Sequence, residues 1–248
     1  HQYIRVAKKL KDEVKKKKKN FMLPLLVQQV FFDKYLSGKN LVISYLRPDN
    51  YKRAVKANCT IYFDNGAFTF FRKKITPNYD KFYKFLEGKT FQYFFIPDII
   101  DGTEEQNDKL IQEVPEHLKN KAIPVFHLHE SLERLKILIK EWAYIALGSS
   151  GKYWKFGTKE WFARMDKIMQ IVCDKDGKPL VKIHMLRCLN KDIFTKYPFY
   201  SGDSSNFARN HKRDTPEVIL NNIEPYNSPR FYDFSNYQLS IYDYLEIN

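Results

Sequence analysis

The sequence predicts a single-domain α/β fold, a (β/α)8 barrel of the TIM type, and three observations carry that expectation. From Leu41 onward, β-rich apolar runs alternate with helix-like stretches at intervals of about 20 to 40 residues, the signature of βαβ units around a parallel sheet. The chain has 248 residues, close to the roughly 250 that such barrels occupy. Neither GxGxxG nor GxxxxGK[ST] occurs, which removes the usual reason to prefer an open nucleotide-binding sheet.

Taken in order, strands are expected at 41–45, 60–64, 92–97, 122–126, 143–147, 181–185 and 198–202, with a weaker candidate at 229–234. Each main run is rich in aromatic and β-branched residues and most stop at a small, acidic or His residue. Helices are expected at 78–87, 104–119, 130–141, 158–173 and 189–196, between those strands. Residues 1–20 read as a basic helical arm ending in Lys15 through Lys19, which is either a phosphate-binding segment or a solvated helix face. Residues 210–248, rich in Asn, Pro and Tyr, are expected to wrap the barrel as irregular structure. No internal repeat or linker divides the chain.

With 44% hydrophobic residues, the chain can bury a sizeable core. Its net charge of +13 argues for a polyanionic partner, nucleic acid first, unless it only mirrors a lysine-rich proteome. Cys59, Cys173 and Cys188 are isolated and odd in number, so no disulfide framework or structural zinc site is expected. That pattern suits a reducing cytoplasm. No apolar run approaches the roughly 18 residues of a membrane span, so no membrane partner is expected.

Functional groups gather where parallel strands end, and five segments supply them here. Asp64 follows Thr60–Phe63 and precedes Asn65-Gly66-Ala67, a turn whose glycine permits close approach to a ligand. Asp203 stands likewise after Pro198–Gly202. Two strand-end carboxylates suffice for displacement at an anomeric carbon, one attacking and one handling the proton. Alternatively each caps a following helix. Asp98, after an aromatic strand, has the acceptors to read the N1–H and amine of a guanine-like ring, while Asp101-Gly102 is a turn signal. His127, His129 and Glu130 follow the strand ending at Phe126; no third metal ligand stands nearby, and no metal is assigned. Gly148, in Leu147-Gly148-Ser149-Ser150-Gly151, offers bare amides for a carbonyl or phosphate oxygen.

These motifs, in this order, resemble the tRNA-guanine transglycosylase superfamily over about residues 40–210. The nearer likeness is to its compact phage and bacterial DNA branch, the DpdA-like enzymes. Asp64-Asn65-Gly66-Ala67-Phe68 is similar to the family's Asp-Ser-Gly-Gly/Ala-Phe turn. Pro97-Asp98-Ile99-Ile100 resembles its base-recognition segment, and Pro124-Val125-Phe126-His127 the Pro-Val-Phe-His of the DNA branch. Tyr144–Gly148 resembles the loop that binds the purine carbonyl, and Pro198–Ser205 the segment with the nucleophilic aspartate. The family's CxCxxC…His zinc site is missing, which favours DNA over tRNA, and Asn65 replaces the usual serine.

The resemblance implies base exchange: guanine in a polynucleotide replaced by a free 7-deazaguanine such as preQ0, in a bacterial or phage-infected cytoplasm. It assigns Asp203 as nucleophile, Asp64 as general acid/base, and Asp98, His127 and Gly148 to the base. Phe68, Tyr153 and Trp154 are candidates for stacking. Lys15, Lys16, Lys17, Arg72, Lys73 and Lys74 are expected on the phosphates. No redox cofactor or ATP is required. A tRNA substrate, a hydrolytic glycosidase and a non-catalytic nucleic-acid-binding barrel are the alternatives.

Overall fold

The computed structural model describes residues 29–204 and 215–235, and the backbone of 2–6. Nine strands are seen among them: β1 (Gln2–Val6), β2 (Asn40–Ser44), β3 (Thr60–Asp64), β4 (Tyr93–Phe95), β5 (Ala122–Ile123), β6 (Val125–His127), β7 (Tyr144–Gly148), β8 (Lys182–Met185) and β9 (Ser201–Ser204). All pair in parallel in one sheet, in the order β5-β4-β3-β2-β1-β9-β8-β7-β6. Four strands therefore flank β1 on either side. The end strands β5 and β6 are consecutive in the chain, separated by Pro124 alone. Proline has no amide to donate, so it interrupts the expected strand 122–126. Its carbonyl still accepts from Ala146 N at 2.9 Å, while Ile123 O accepts from Ile96 N at 2.9 Å.

The connections are helical: α1 (Pro48–Lys56), α2 (Ala67–Lys73), α3 (Asp80–Leu86), α4 (Glu104–Gln112), α5 (Leu132–Glu141), α6 (Lys159–Val172), α7 (Lys191–Phe194) and α8 (Pro216–Asn221). Their starts are written in the sequence. Thr103 and Gln106 form a reciprocal capping box on α4, and Ser131, Thr158 and Thr215 cap α5, α6 and α8. Helix α6 buries Trp161, Met165, Ile168, Met169 and Val172, an i, i+4, i+7 stripe against the sheet.

Two apolar clusters lie between helices and sheet. One gathers around β2–β4 (Leu41, Ile43, Phe63, Phe82, Phe94) and the other around β6–β8 (Phe126, Ile145, Leu147, Trp161, Ile183). A third holds Val42, Tyr62, Phe95, Ile123, Val125, Tyr144 and Ala146. Its members come from strands remote in the sheet order: the Tyr62 and Tyr144 rings lie 6.3 Å apart, and Phe95 meets His184 at 4.7 Å. Strands β2, β3, β7 and β8 are thus buried on both faces, which accounts for their unbroken apolar runs.

Several expectations change. The helix expected over 104–119 ends at Gln112, ahead of Pro115, and the strand expected over 198–202 runs Ser201–Ser204, which places Asp203 within it rather than beyond its end. Gln2–Val6 is a strand, not part of a helix; its polar–apolar mix with Ile4 and Val6 suits an extended chain, while the lysines that suggested a helix come later. The remainder of the basic arm, with Lys15, Lys16 and Lys17, lies outside the described residues. The C-terminal region carries the helix α8 and is not wholly irregular. The candidate strand at 229–234 is irregular, because Tyr232 N donates to Gly177 O at 2.7 Å and its hydroxyl reaches Asp166 at 2.7 Å. Gly177, at φ +79°, has no room for a Cβ beside Tyr232.

Candidate active site

The C-terminal ends of β3, β4, β6, β7 and β8 open onto one cleft. Asp64, Asn65, Phe68, Asp98, His127 and Gly148 line it, joined by Trp154, Phe156 and Arg187. Five of the six catalytic and base-binding residues expected from the sequence thus share one cavity, although they are separated by up to 84 positions.

Asp64 ends β3, half-buried at the cleft wall. It does not cap α2; Gly66 occupies that position at φ +80°, and Asn65 Oδ1 accepts from Ala67 N at 2.7 Å. The turn needs glycine twice over, since a Cβ would also press on Leu46 and Phe70. Helix α2 then carries Phe68 into the cleft and leaves Arg72, Lys73 and Lys74 exposed.

Asn65 does more than replace a serine. Its Nδ2 donates to Asp98 Oδ1 and to Ile96 O, each at 2.7 Å. It therefore clamps the segment after β4 and aims the Asp98 carboxylate. Asp98 Oδ2 stands 3.0 Å from His127 Nε2, and Tyr79 donates to Asp98 O at 3.1 Å. Both Asp98 oxygens are engaged, but each keeps a second lone pair for a ligand donor. Asn65→Ser has the polarity but not the reach. It is expected to cost roughly 1–3 kcal/mol in denaturant unfolding, the worth of leaving buried acceptors without their donor.

His127 is buried at the end of β6 and pairs in register with Gly148 on β7. A Cβ at position 148 would come within 3.1 Å of His127 Nδ1, so glycine there makes room for the imidazole. Burial pulls the His127 pKa down, but the adjacent Asp98 and the charge of Glu130 outweigh it, and the net shift is upward from 6.5. A raised folded pKa means that the stabilisation is fully present below pH ~6.5 and is lost as pH rises through the folded value. Thermal melts across pH should show that loss in the wild-type protein and not in His127→Phe.

Behind this wall lies a buried ion cluster. The Glu130 carboxylate accepts from His127 N at 2.8 Å, Asn107 Nδ2 at 3.0 Å and Arg134 Nη1 at 2.6 Å. Arg134 also reaches Asp108 at 2.8 Å. Glu130, adjacent to His129 in sequence, thus holds the turn that presents His127. His129 is exposed, stacks on His127 at 5.8 Å and bonds Ser150 Oγ at 2.7 Å.

Asp203 is placed differently. It is fully buried and does not line the cleft. Its Oδ1 accepts from Arg187 N at 2.9 Å and lies 3.1 Å from His184 Nε2. Arg187 connects it to the cleft: its amide holds Asp203, and its guanidinium sits 3.8 Å over the Phe68 ring. Arg187 adopts φ +61°, an unfavourable conformation for a side-chain-bearing residue that turns its amide toward Asp203.

Trp154 is exposed at the rim, but Tyr153 packs instead against the second core cluster, 5.6 Å from Arg164. Asp101 belongs to the turn closed by Gly102 N to Ile99 O at 3.0 Å. Burial pushes the thiols of Cys59 and Cys188 up to about 11 and Cys173 to about 12, so none is a ready nucleophile at neutral pH. His184 and Arg187 were not singled out from the sequence. His184 sits inside the strand Lys182–Met185 between the buried Ile183 and Met185, where a core histidine looks the same as a functional one, and Arg187 resembles any surface arginine.

In comparisons with family models, curated proteins and solved structures, nothing matches this chain.

Proposed function

We propose that the chain is a base-exchange transglycosylase that replaces guanine in a polynucleotide, DNA in preference to tRNA, with a free 7-deazaguanine such as preQ0. The observation that carries this reading is the convergence of Asp64, Asp98, His127, Gly148 and Phe68 on one cleft at the C-terminal strand ends. The fold belongs to the same proposal. If Ala122–His127 is counted as one strand broken at Pro124, the nine strands become eight and the two ends of the sheet order coincide. The Tyr62–Tyr144 and Phe95–His184 contacts support that closure into a (β/α)8 barrel.

In this mechanism a target guanosine leaves the stack, at a cost of a few kcal/mol, and its base enters the cleft. Asp98 accepts from the purine N1–H and amine, with Asn65 and His127 holding it in place. The Gly148 edge faces the carbonyl side, and Phe68 offers a stacking surface. A carboxylate oxygen of Asp203 forms a bond to C1′ as the C1′–N9 bond breaks. The electron pair goes to the purine, which takes the proton of the Asp64 carboxylic acid. The incoming base gives its proton to Asp64, bonds C1′ and returns Asp203 as carboxylate. The burial of Asp203 requires that the Arg187 turn yield as the sugar arrives. Exposed Arg72, Lys73 and Lys74, next to Phe68 on and after α2, supply phosphate contacts.

That same burial favours a second reading, a nucleic-acid-binding barrel in which Asp203 is structural and no exchange occurs. The discriminating experiment incubates the protein with guanine-containing DNA or tRNA and preQ0, then analyses the nucleosides by mass spectrometry. A 7-deazaguanine deoxynucleoside supports DNA exchange, and product in tRNA alone moves the substrate to RNA. Tight binding without product supports the second reading.

A further inference from the structure

We infer that His184, backed by Ser201 and Tyr144, is the positioning residue of Asp203, forming a buried relay that fixes the carboxylate and stabilises it when it leaves C1′. This rests on the reading of Asp203 as nucleophile. The geometry is a continuous chain of short contacts. Tyr144 Oη lies 2.5 Å from Ser201 Oγ, Ser201 Oγ lies 2.6 Å from His184 Nδ1, and His184 Nε2 lies 3.1 Å from Asp203 Oδ1. All four residues are buried, His184 and Asp203 completely. Three adjacent strands carry them, and β8 and β9 pair His184 with Ser201 in register, so the backbone itself sets the spacing.

The proton positions follow from the partners. An ionised carboxylate only accepts, so Nε2 carries the hydrogen facing Asp203. In the neutral ring Nδ1 is then an acceptor and takes the Ser201 hydroxyl proton, which leaves Ser201 Oγ to accept from Tyr144. The relay is thus directional, Tyr144 to Ser201 to His184 to Asp203. The hydroxyls lock the imidazole tautomer much as a carboxylate does in a hydrolase triad, with the polarity reversed. Phe95 at 4.7 Å and Tyr62 at 6.5 Å flank the ring and restrict its rotation.

The relay acts on both halves of the exchange. During attack it holds Asp203 Oδ1 in a fixed direction while the Arg187 turn yields to the sugar. During release, the C1′–O bond breaks and its electron pair returns to the carboxylate. The Nε2–H donor then meets charge that is developing, where a fixed donor contributes most. No proton needs to pass along the chain.

The test compares His184→Phe, which keeps a ring of similar size, with His184→Gln, which retains an N–H donor. His184→Phe is expected to lower kcat for exchange roughly 100- to 1000-fold with KM within about twofold. It should also move the acid limb of the kcat profile to higher pH, because an N–H donor to the carboxylate has been lost. Among the described residues, the other titratable groups facing this site, Tyr62, Tyr144 and Cys188, are unchanged in the variant. His184→Gln should recover part of kcat and return the acid limb toward its original position. An unchanged kcat and acid limb in His184→Phe, beside an inactive Asp203→Ala, would overturn the relay alone. Full exchange by Asp203→Ala would instead overturn the nucleophile assignment. A measurement independent of activity and of any variant's folding is the nitrogen NMR of the His184 ring in the wild-type protein. The Nε2–H tautomer is expected, and an Nδ1–H tautomer would overturn the relay.

Discussion

Asp203→Ala is expected to abolish guanine exchange, lowering kcat by roughly 10^4-fold or more, because it removes the atom that bonds C1′ and leaves no route to a covalent intermediate. Because the carboxylate is fully buried and hydrogen-bonded to Arg187 N, alanine also leaves interior donors without an acceptor. A stability loss of about 1–3 kcal/mol should accompany the loss of activity. Asp203→Asn separates the two effects: it retains the volume and a carbonyl acceptor but is not a nucleophile. The kinetic loss should therefore persist at a smaller stability cost. Single-turnover assays with nucleoside mass spectrometry, alongside denaturant unfolding, measure both quantities. Full exchange by either variant would sink the assignment of Asp203. Asp64→Ala is expected to be equally inactive but to leave stability nearly intact, since Asp64 sits half-buried at the cleft wall.

Glu130→Ala should produce the largest stability effect outside the exchange chemistry. Its carboxylate accepts from His127 N, Asn107 and Arg134, and the Arg134 side chain is 3% exposed. Removing one partner of a buried pair typically costs about 3–5 kcal/mol; Arg134 keeps its contacts to the half-exposed Asp108, which places the expected loss toward the lower end. In a chain of this size that corresponds to a melting-point drop of roughly 10 °C. A paired substitution, Glu130→Met with Arg134→Met, should cost less than the sum of the singles, because no uncompensated charge remains inside. Additive losses in that double-mutant cycle would show that the two side chains do not act as a pair. Base affinity should weaken in Glu130→Ala as well, since Glu130 accepts the amide of the residue that stands against Asp98.

How far this site could be read from sequence depended on where each residue lies along its strand. Asp64, His127 and Gly148 end β-rich apolar runs, and a polar or small residue at the end of such a run announces itself. All three meet in the cleft. Asp98 was found the same way, three residues past β4. What stayed hidden was the set of groups that hold these residues. Asn65 looked like a neutral replacement, because its reach to Asp98 crosses from one strand end to the next. His184 lies mid-strand among apolar neighbours, and its partners Ser201 and Asp203 come from a different strand. Pairings between strands are not a periodic feature of one segment, so no local pattern reveals them. The strand Gln2–Val6 was masked by the lysine-rich stretch that follows it, and Pro124 divided a run that composition alone presents as continuous.

Arg187 carries a mechanical consequence. One residue contributes an amide to the buried carboxylate and a cation to the ring at the cleft wall, and it does so from a backbone conformation that its side chain disfavours. The turn is therefore a loaded lever. A rotation of this peptide toward an ordinary φ would withdraw the amide from Asp203 and shift the guanidinium on Phe68 at the same time. The ring at the cleft wall and a hydrogen bond to the interior carboxylate thus depend on one and the same peptide unit.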